Sequence, residues 1–166
     1  NHPEGIKGAE AVAMAVYLAR IGKSKGEIRA RMQEYYPELN DKNFTINNIH
    51  GKYGYDDDGK WVTCQGSIPQ ALIAFLDSEN FEDAIRNAVC IGGDSDTIGA
   101  MAGSIAEAYY GVSYEMEEKA LTYLSDDLIS TYYAFETIKK KRIKQPINRI
   151  KQITPTFAQA SAENIF

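Results

Sequence analysis

Residues 90–103, CIGGDSDTIGAMAG, carry the clearest chemical signal in the sequence. They place the carboxylates of Asp94 and Asp96 two residues apart, with the hydroxyl of Thr97 directly behind. Hard oxygen donors of this kind are the ligands that Mg²⁺ and Mn²⁺ prefer. Gly92 and Gly93 come before them and allow the positive φ angles of a sharp turn between two helices. The pattern therefore predicts a divalent-cation site at a helix N-terminus, where the dipole favours ionised carboxylates.

The same two aspartates also have a purely structural interpretation. Aspartate is a common helix cap, and a short Asp-x-Asp-Thr string is compatible with a solvated loop that binds nothing. Spacing alone leaves both interpretations open.

The helix that follows the aspartates is built from small residues. Gly99 and Gly103 lie one turn apart inside a predicted helix over 96–110, and each costs about 1 kcal/mol relative to alanine. Together with Ala102 and Ala106 they form a narrow face that other backbones can approach closely. We expect a central helix with the aspartate loop at its tip.

Other polar and aromatic residues have weaker functional interpretations. The run at Asp56–Gly59 lacks the alternation of a calcium loop, and position 12 counted from Asp56 is Ser67 instead of glutamate. Trp61 can stack on an adenine or anchor the irregular region around it. His50 is expected on the surface.

Composition excludes several classes of function. A net charge of −5 gives no general attraction to nucleic acid or to an anionic membrane. Seven of the 18 Lys and Arg residues lie in 139–151 without interleaved aromatics, so a solvated helix end is expected there. No apolar run is long enough for a membrane span. Cys64 and Cys90 match no metal-ligand spacing, and two free thiols predict a reducing, cytoplasmic location.

Helical periodicity dominates the chain, and the predicted fold class is all-α. Pro3 and Glu4 suit a first helical turn, and Ser24 with Glu27 forms a capping box. Residues 38–64 form an irregular excursion with a possible hairpin turn at Asp58–Gly59. The predicted helices cover residues 3–21, 24–36, 67–78, 81–92, 96–110, 115–124 and 125–142, and residues 146–166 form a tail or extension.

Four stretches together resemble the ADP-ribosylglycohydrolase family. The stretch GGDSDTIGAMAGSIAEAYYG, preceded by FEDAIRNAV, is similar to the family's C-terminal metal motif. NHPEGIKGAEAVA resembles its His-Pro helix start and GSIPQALIAFL the start of a later helix, in the family's order. The resemblance covers about residues 1–133.

The resemblance implies an all-helical hydrolase that removes ADP-ribosyl groups from modified protein side chains or from a small ADP-ribosylated molecule. It implies two Mg²⁺ or Mn²⁺ ions with Asp94, Asp96 and Thr97 among their ligands. Asp96 would bridge both ions, and Asp94 would help to orient the attacking water; these two aspartates are the expected catalytic residues.

The resemblance also implies substrate-binding residues. His2 matches a histidine near the substrate ribose, and Gly66 with Ser67 lies in a loop where the family lines its nucleotide pocket.

The sequence departs from the family's pattern at its start. The Gly-Asp-rich opening and the Thr/Ser-Asp-Asp set of the family's N-terminal half have no counterpart here. We therefore expect residues 1–145 to be the C-terminal part of one helical domain that is inactive without the missing N-terminal half as a partner. A non-catalytic ADP-ribose-binding or structural member of the fold is the alternative, and a helical metal-binding domain without a nucleotide ligand is a third.

Overall fold

The computed structural model describes residues 2–51 and 62–143, and of residues 139–143 the backbone alone. Every regular element in these ranges is helical, which confirms the all-α prediction. The hairpin turn at Asp58–Gly59, Trp61 and the tail 146–166 lie outside the described residues. The α-helices are α1 (Pro3–Arg20), α2 (Lys25–Met32), α3 (Ile46–Ile49), α4 (Cys64–Leu76), α5 (Phe81–Ile91), α6 (Ser95–Tyr110), α7 (Tyr114–Leu121) and α8 (Asp126–Ile143), with a 3-10 turn at Pro37–Asn40.

Most helices begin and end where side-chain chemistry predicts. Ser24 and Glu27 form the reciprocal capping box of α2, with hydrogen bonds of 3.3 Å and 2.9 Å to each other's backbone N–H groups. Asn80 caps α5 by accepting from the N–H of Asp83 at 2.9 Å. Gly111 ends α6 at a φ of 76°, which favours glycine.

The predicted start of α4 at Ser67 is wrong. The helix begins three residues earlier, where the Thr63 hydroxyl accepts from the N–H of Gly66 at 3.3 Å. Pro69 therefore lies inside the helix, and the carbonyl of Gln65 loses its helical donor. Gln65 is exposed, so water can satisfy that carbonyl. Gly66 and Ser67 consequently belong to the first turns of a helix and do not form the expected loop.

Two predicted helices end earlier than expected. α2 stops at Met32 instead of Tyr36, and α7 stops at Leu121 instead of Leu124. In both cases the chain continues in tighter turns, with hydrogen bonds between residues three apart, such as Tyr35 N–H to the Met32 carbonyl at 3.0 Å.

The core is centred on α4, which is buried on all sides from Ser67 to Leu76. α6 packs against α1, α4 and α5, in agreement with the predicted central helix. A Cβ atom at Gly103 would lie 2.9 Å from Ile85 Cδ1, so α5 approaches α6 closely there. A Cβ at Gly99 would meet no described atom within 4 Å, so the expected close approach does not extend to that glycine.

The chain divides into two compact units, residues 1–113 and 114–166. The first contains the core and helices α1 to α6. In the second, the Tyr132 hydroxyl donates to the Glu117 carboxylate and so links α8 to α7. No residue between 114 and 138 is buried. In the part of the chain that the structure describes, no helix is both long enough and apolar enough to span a membrane.

Candidate metal centre

The turn that carries the acidic pair has the backbone that its glycines predict. Gly92 has a φ of 89° and Gly93 a φ of 65°, both in the region that favours glycine. This turn links the end of α5 to the start of α6 and puts Asp94 at the N-cap position of α6.

Asp94 occupies the cap position without acting as a cap. Its side chain accepts no capping hydrogen bond, and its carboxyl group lies close enough to the Asp96 carboxyl to affect the pKa of Asp96. Asp96 Oδ1 accepts from the N–H of Thr97 at 2.9 Å. The bond with Asp94 lowers the pKa of Asp96, and the N–H groups of Thr97 and of Asp96 itself lower it further. The two carboxyl groups thus converge at the helix tip, which the capping interpretation of Asp94 does not explain.

The oxygen atoms of these three side chains are of the type that a hard cation prefers, but there are too few of them to complete its coordination. Asp96 and Thr97 are exposed and Asp94 is half-buried, so all three oxygen-bearing side chains are accessible. Mg²⁺ requires about six ligands in near-octahedral geometry. No group of three or more His, Cys, Asp or Glu side chains suited to a metal occurs in the described residues. These three side chains alone are therefore too few to complete the coordination sphere of such a cation.

Contacts at the C-terminal ends of α4 and α6 show that these helices run in the same direction. The Tyr110 hydroxyl, at the end of α6, donates to the carbonyl of Ser78 just beyond α4 at 2.7 Å. The rings of Tyr109 and Tyr110 lie 5.4 Å and 6.2 Å from the ring of Phe75. With the C-terminal ends together, the N-terminal ends of α4 and α6 also lie at one end of the bundle.

α1 runs in this direction too. A Cβ at Gly8, near its start, would lie 3.3 Å from Cys64 Cβ at the start of α4 and would overlap Ile68 Cδ1. Beyond the other end of α1, the Lys25 ammonium donates to the Leu76 carbonyl of α4 at 3.1 Å. α1, α4 and α6 therefore run in the same general direction.

The parallel arrangement brings His2 and the aspartate loop to the same end of the first unit. At 1.5 Å per residue, His2 lies roughly 9 Å along α1 from Gly8, the residue that approaches the start of α4. His2 Nδ1 accepts from the N–H of Glu4 at 3.3 Å and caps α1. A neutral His2 then carries its proton on Nε2, which leaves a hydrogen-bond donor on this exposed side chain.

The two remaining predicted substrate residues lie at this end as well, with different accessibility. Gly66 is half-buried in the first turn of α4, whereas Ser67 is only 3% exposed. A ligand could therefore reach the surface of Gly66 but not the Ser67 side chain.

Thr63 and Cys64 form the start of α4 at this end and were not among the predicted site residues. Thr63 is itself a good N-cap residue, and that signal was available in the sequence. A shallow groove on the outer side of α5, lined by Glu82, Ile85, Arg86, Val89 and Cys90, contains none of the predicted site residues.

Comparison with known proteins identifies the family of this chain. The model of the family described as ADP-ribosylglycohydrolase matches residues 1–146. An uncharacterized protein of Archaeoglobus fulgidus is 29% identical over 110 residues, which cover 62% of this chain and 36% of the relative. The chain thus spans about a third of that relative's length, and no solved structure matches it. Because the family match includes both the His-Pro start of α1 and the aspartate loop, the chain belongs to the ADP-ribosylglycohydrolase family.

Proposed function

We propose that this chain carries part of the active site of a hydrolase that removes ADP-ribosyl groups from modified protein side chains or from a small ADP-ribosylated molecule. The observation that carries the proposal is the convergence of the Asp94 and Asp96 carboxyl groups beside Thr97, at the bundle end that also holds His2. Family membership supports the reaction class.

Asp94, Asp96 and Thr97 would hold Mg²⁺ or Mn²⁺, two ions in the complete site. Bound ions of this kind supply Lewis acidity toward the ribose diol and lower the pKa of a water molecule. Asp94 would help to orient that water, because its side chain is half-buried at the helix tip and makes no capping bond. In the hydrolysis that this site would support, a water oxygen replaces the modified side chain on the sugar carbon, the side chain leaves with a proton, and the sugar carbon would carry oxocarbenium character between the two bonds.

His2 and the start of α4 would bind the substrate. The Nε2–H of neutral His2 is a donor for a ribose hydroxyl. The first turn of α4 faces the same end of the bundle as the aspartate loop, and the positive end of its helix dipole would favour a phosphate group. These positions fit the ribose and the pyrophosphate of an ADP-ribosyl group, and Gly66 allows close backbone approach.

We place the remaining metal ligands on polypeptide equivalent to the family's N-terminal half. The described donors fall short of the ligands that two ions require. The free thiols Cys64 and Cys90 suit the reducing, cytoplasmic location expected for such an enzyme.

Manganese binding followed by electron paramagnetic resonance tests the proposal on this chain. We expect Asp96→Asn to weaken Mn²⁺ binding at least tenfold, because it removes one of two convergent carboxylates. Asp127→Asn is the matched control, since Asp127 also lies exposed in the first turn of a helix and its carboxylate is bonded to the Ser125 hydroxyl. Equal Mn²⁺ binding by Asp96→Asn and wild type would contradict the proposed site.

The non-catalytic alternative is favoured by one observation, the small number of metal donors in the described residues. Titration with ADP-ribose, with and without Mg²⁺, and an assay of ADP-ribose release in the complete protein distinguish the two. Asp96→Ala should abolish release there. Binding of ADP-ribose without any release by the complete wild-type protein would establish the alternative.

A further inference from the structure

The outer face of α1 is apolar and exposed. The inner face of this helix is buried against the core through small residues, Gly8, Ala11, Ala15 and Ala19. On the opposite face, Ile6, Tyr17 and Ile21 are 53%, 39% and 41% exposed, and Ala13 is exposed between them. A helix that is apolar on all sides normally lies in the interior of a larger protein. We call the exposed residues of this face, from Ile6 to Ile21, the outer stripe of α1.

The outer stripe begins at the bundle end that holds the incomplete metal site. Ile6 lies one helical turn from His2, and the stripe extends from there over roughly 22 Å at a rise of 1.5 Å per residue. The aspartate loop lies at the same end, where the described oxygen donors are too few for a divalent cation. Polypeptide that lies along the stripe therefore reaches the end of the bundle where further metal ligands are required.

A relative of this chain is long enough to carry such polypeptide. The 110 residues that match the Archaeoglobus fulgidus protein are 36% of its length, so nearly two thirds of that relative lies outside the match. A second copy of the present chain is a poorer occupant of the stripe, because it has the same incomplete set of donors. One additional segment can instead cover the stripe and supply the ligands.

We propose that the outer stripe of α1 is the docking surface for the polypeptide that supplies the missing metal ligands. The chemistry of the stripe describes its occupant, an amphipathic helix whose apolar side covers Ile6, Ala13 and Tyr17. Glu10 and Arg20 are exposed at the edges of the stripe without an ion-pair partner among the described residues, so they match a cation and a carboxylate on that helix. The proposal rests on the proposed function, which defines the occupant by its metal ligands.

The same substitution in two forms of the protein tests this docking surface. One form is the present chain alone, and the other is the complete protein, which also contains that polypeptide. Ala13→Arg should leave the Tm of the present chain unchanged, because Ala13 is exposed there. In the complete protein the arginine would be buried against apolar side chains and should lower Tm by at least about 6 °C. Ala30→Arg is the matched control, since Ala30 is an exposed alanine in the interior of α2, and it should change Tm in neither form.

Hydroxyl-radical footprinting of the two unmutated forms tests the same surface even where a variant fails to fold. Ile6 and Tyr17 should react about threefold more slowly in the complete protein than in the present chain, because the docked helix excludes water from them. Equal reaction rates in the two forms, or equal Tm changes for Ala13→Arg and Ala30→Arg in the complete protein, overturn the proposal.

Two further results separate the remaining outcomes. Protection of Ile6 and Tyr17 that increases with the concentration of the present chain alone would assign the stripe to a second copy and overturn the proposal. Asp96→Ala tests the proposed function separately, because Asp96 lies outside the stripe. Loss of ADP-ribose release in this variant together with an unprotected stripe refutes the docking surface alone, whereas full release refutes the proposed function whatever the footprint of the stripe.

Discussion

The contact between α1 and α4 at Gly8 makes a quantitative prediction about the packing that brings the candidate site together. Gly8 lies inside α1, where alanine is favoured over glycine by about 1 kcal/mol. A methyl group there would meet Cys64 Cβ at 3.3 Å and overlap Ile68 Cδ1. Overpacking of this kind costs about 2 kcal/mol, because Cys64 Cβ is fixed to the backbone and cannot rotate away. We therefore expect Gly8→Ala to lower the free energy of unfolding by about 1 kcal/mol net.

Gly99→Ala is the matched control, because it is the same substitution in another helix interior. A Cβ at Gly99 meets no described atom within 4 Å, so only the helix-propensity gain of about 1 kcal/mol applies. Relative to wild type, the free energy of unfolding should therefore fall by about 1 kcal/mol in Gly8→Ala and rise by about 1 kcal/mol in Gly99→Ala. Urea unfolding followed by far-ultraviolet circular dichroism measures both values, and a shift of about 4 °C per kcal/mol is expected in Tm.

Equal stabilisation by Gly8→Ala and Gly99→Ala would refute this reasoning. It would mean that α1 does not approach α4 at Cys64, and the arrangement of His2 and the aspartate loop at one end of the bundle would then lose its main support. A larger loss of unfolding free energy in Gly8→Val than in Gly8→Ala would support the steric explanation.

Two further predictions concern pH and buried polarity. Hydrogen bonds from the Lys23 ammonium and then from the Ser24 cap lower the pKa of Glu27 from 4.5 to about 2, so the Glu27 carboxylate stabilises the fold fully above pH 4.5 and loses this effect as the pH falls toward 2. Glu27→Gln should remove this acid dependence of stability. Ser24→Ala should lower the free energy of unfolding by about 1 kcal/mol, measured by urea unfolding at pH 7. The Tyr36 hydroxyl is buried without a hydrogen-bond partner in the described structure. Tyr36→Phe should therefore leave the free energy of unfolding unchanged or raise it by up to about 1 kcal/mol at pH 7. Tyr35→Phe is the control, because Tyr35 is only half-buried, and it should have no effect. Burial raises the pKa of Tyr36 from 10.0 to about 12, so wild type should lose stability above pH 10 and Tyr36→Phe should lose less. A marked loss of stability in Tyr36→Phe at pH 7 would contradict this account and show that the hydroxyl is hydrogen-bonded.

Much of the candidate site is readable from local sequence because it depends on local backbone chemistry. The Gly92–Gly93 pair predicts the sharp turn, and the small residues behind it predict a helix that packs closely with others. The capping box at Ser24 and the cap at Asn80 are equally local, and the structure confirms them. These signals involve residues within four positions of each other, where short-range hydrogen bonds and φ preferences decide the outcome.

The start of α4 shows where local signals mislead. Ser67 and Pro69 together resemble a helix start, yet Thr63 caps the helix and Pro69 lies inside it. Burial of the segment that follows favours one continuous helix against α1 and α6, and it outweighs the hydrogen bond lost at Pro69. Thr63 and Ser67 are both suitable N-cap residues, and the local sequence does not indicate which of them begins the helix.

The sequence alone determined the helical class and most helix boundaries, and it indicated the family. Only the tertiary structure decided that Asp94 turns toward Asp96 instead of capping α6, and that Ser67 is buried. It alone also decided that α1, α4 and α6 run in the same direction, which places His2 and the aspartate loop at the same end of the first unit. The physical reason is that helix direction and side-chain accessibility depend on contacts between residues far apart in the chain, such as Tyr110 with Ser78, and no local pattern encodes them.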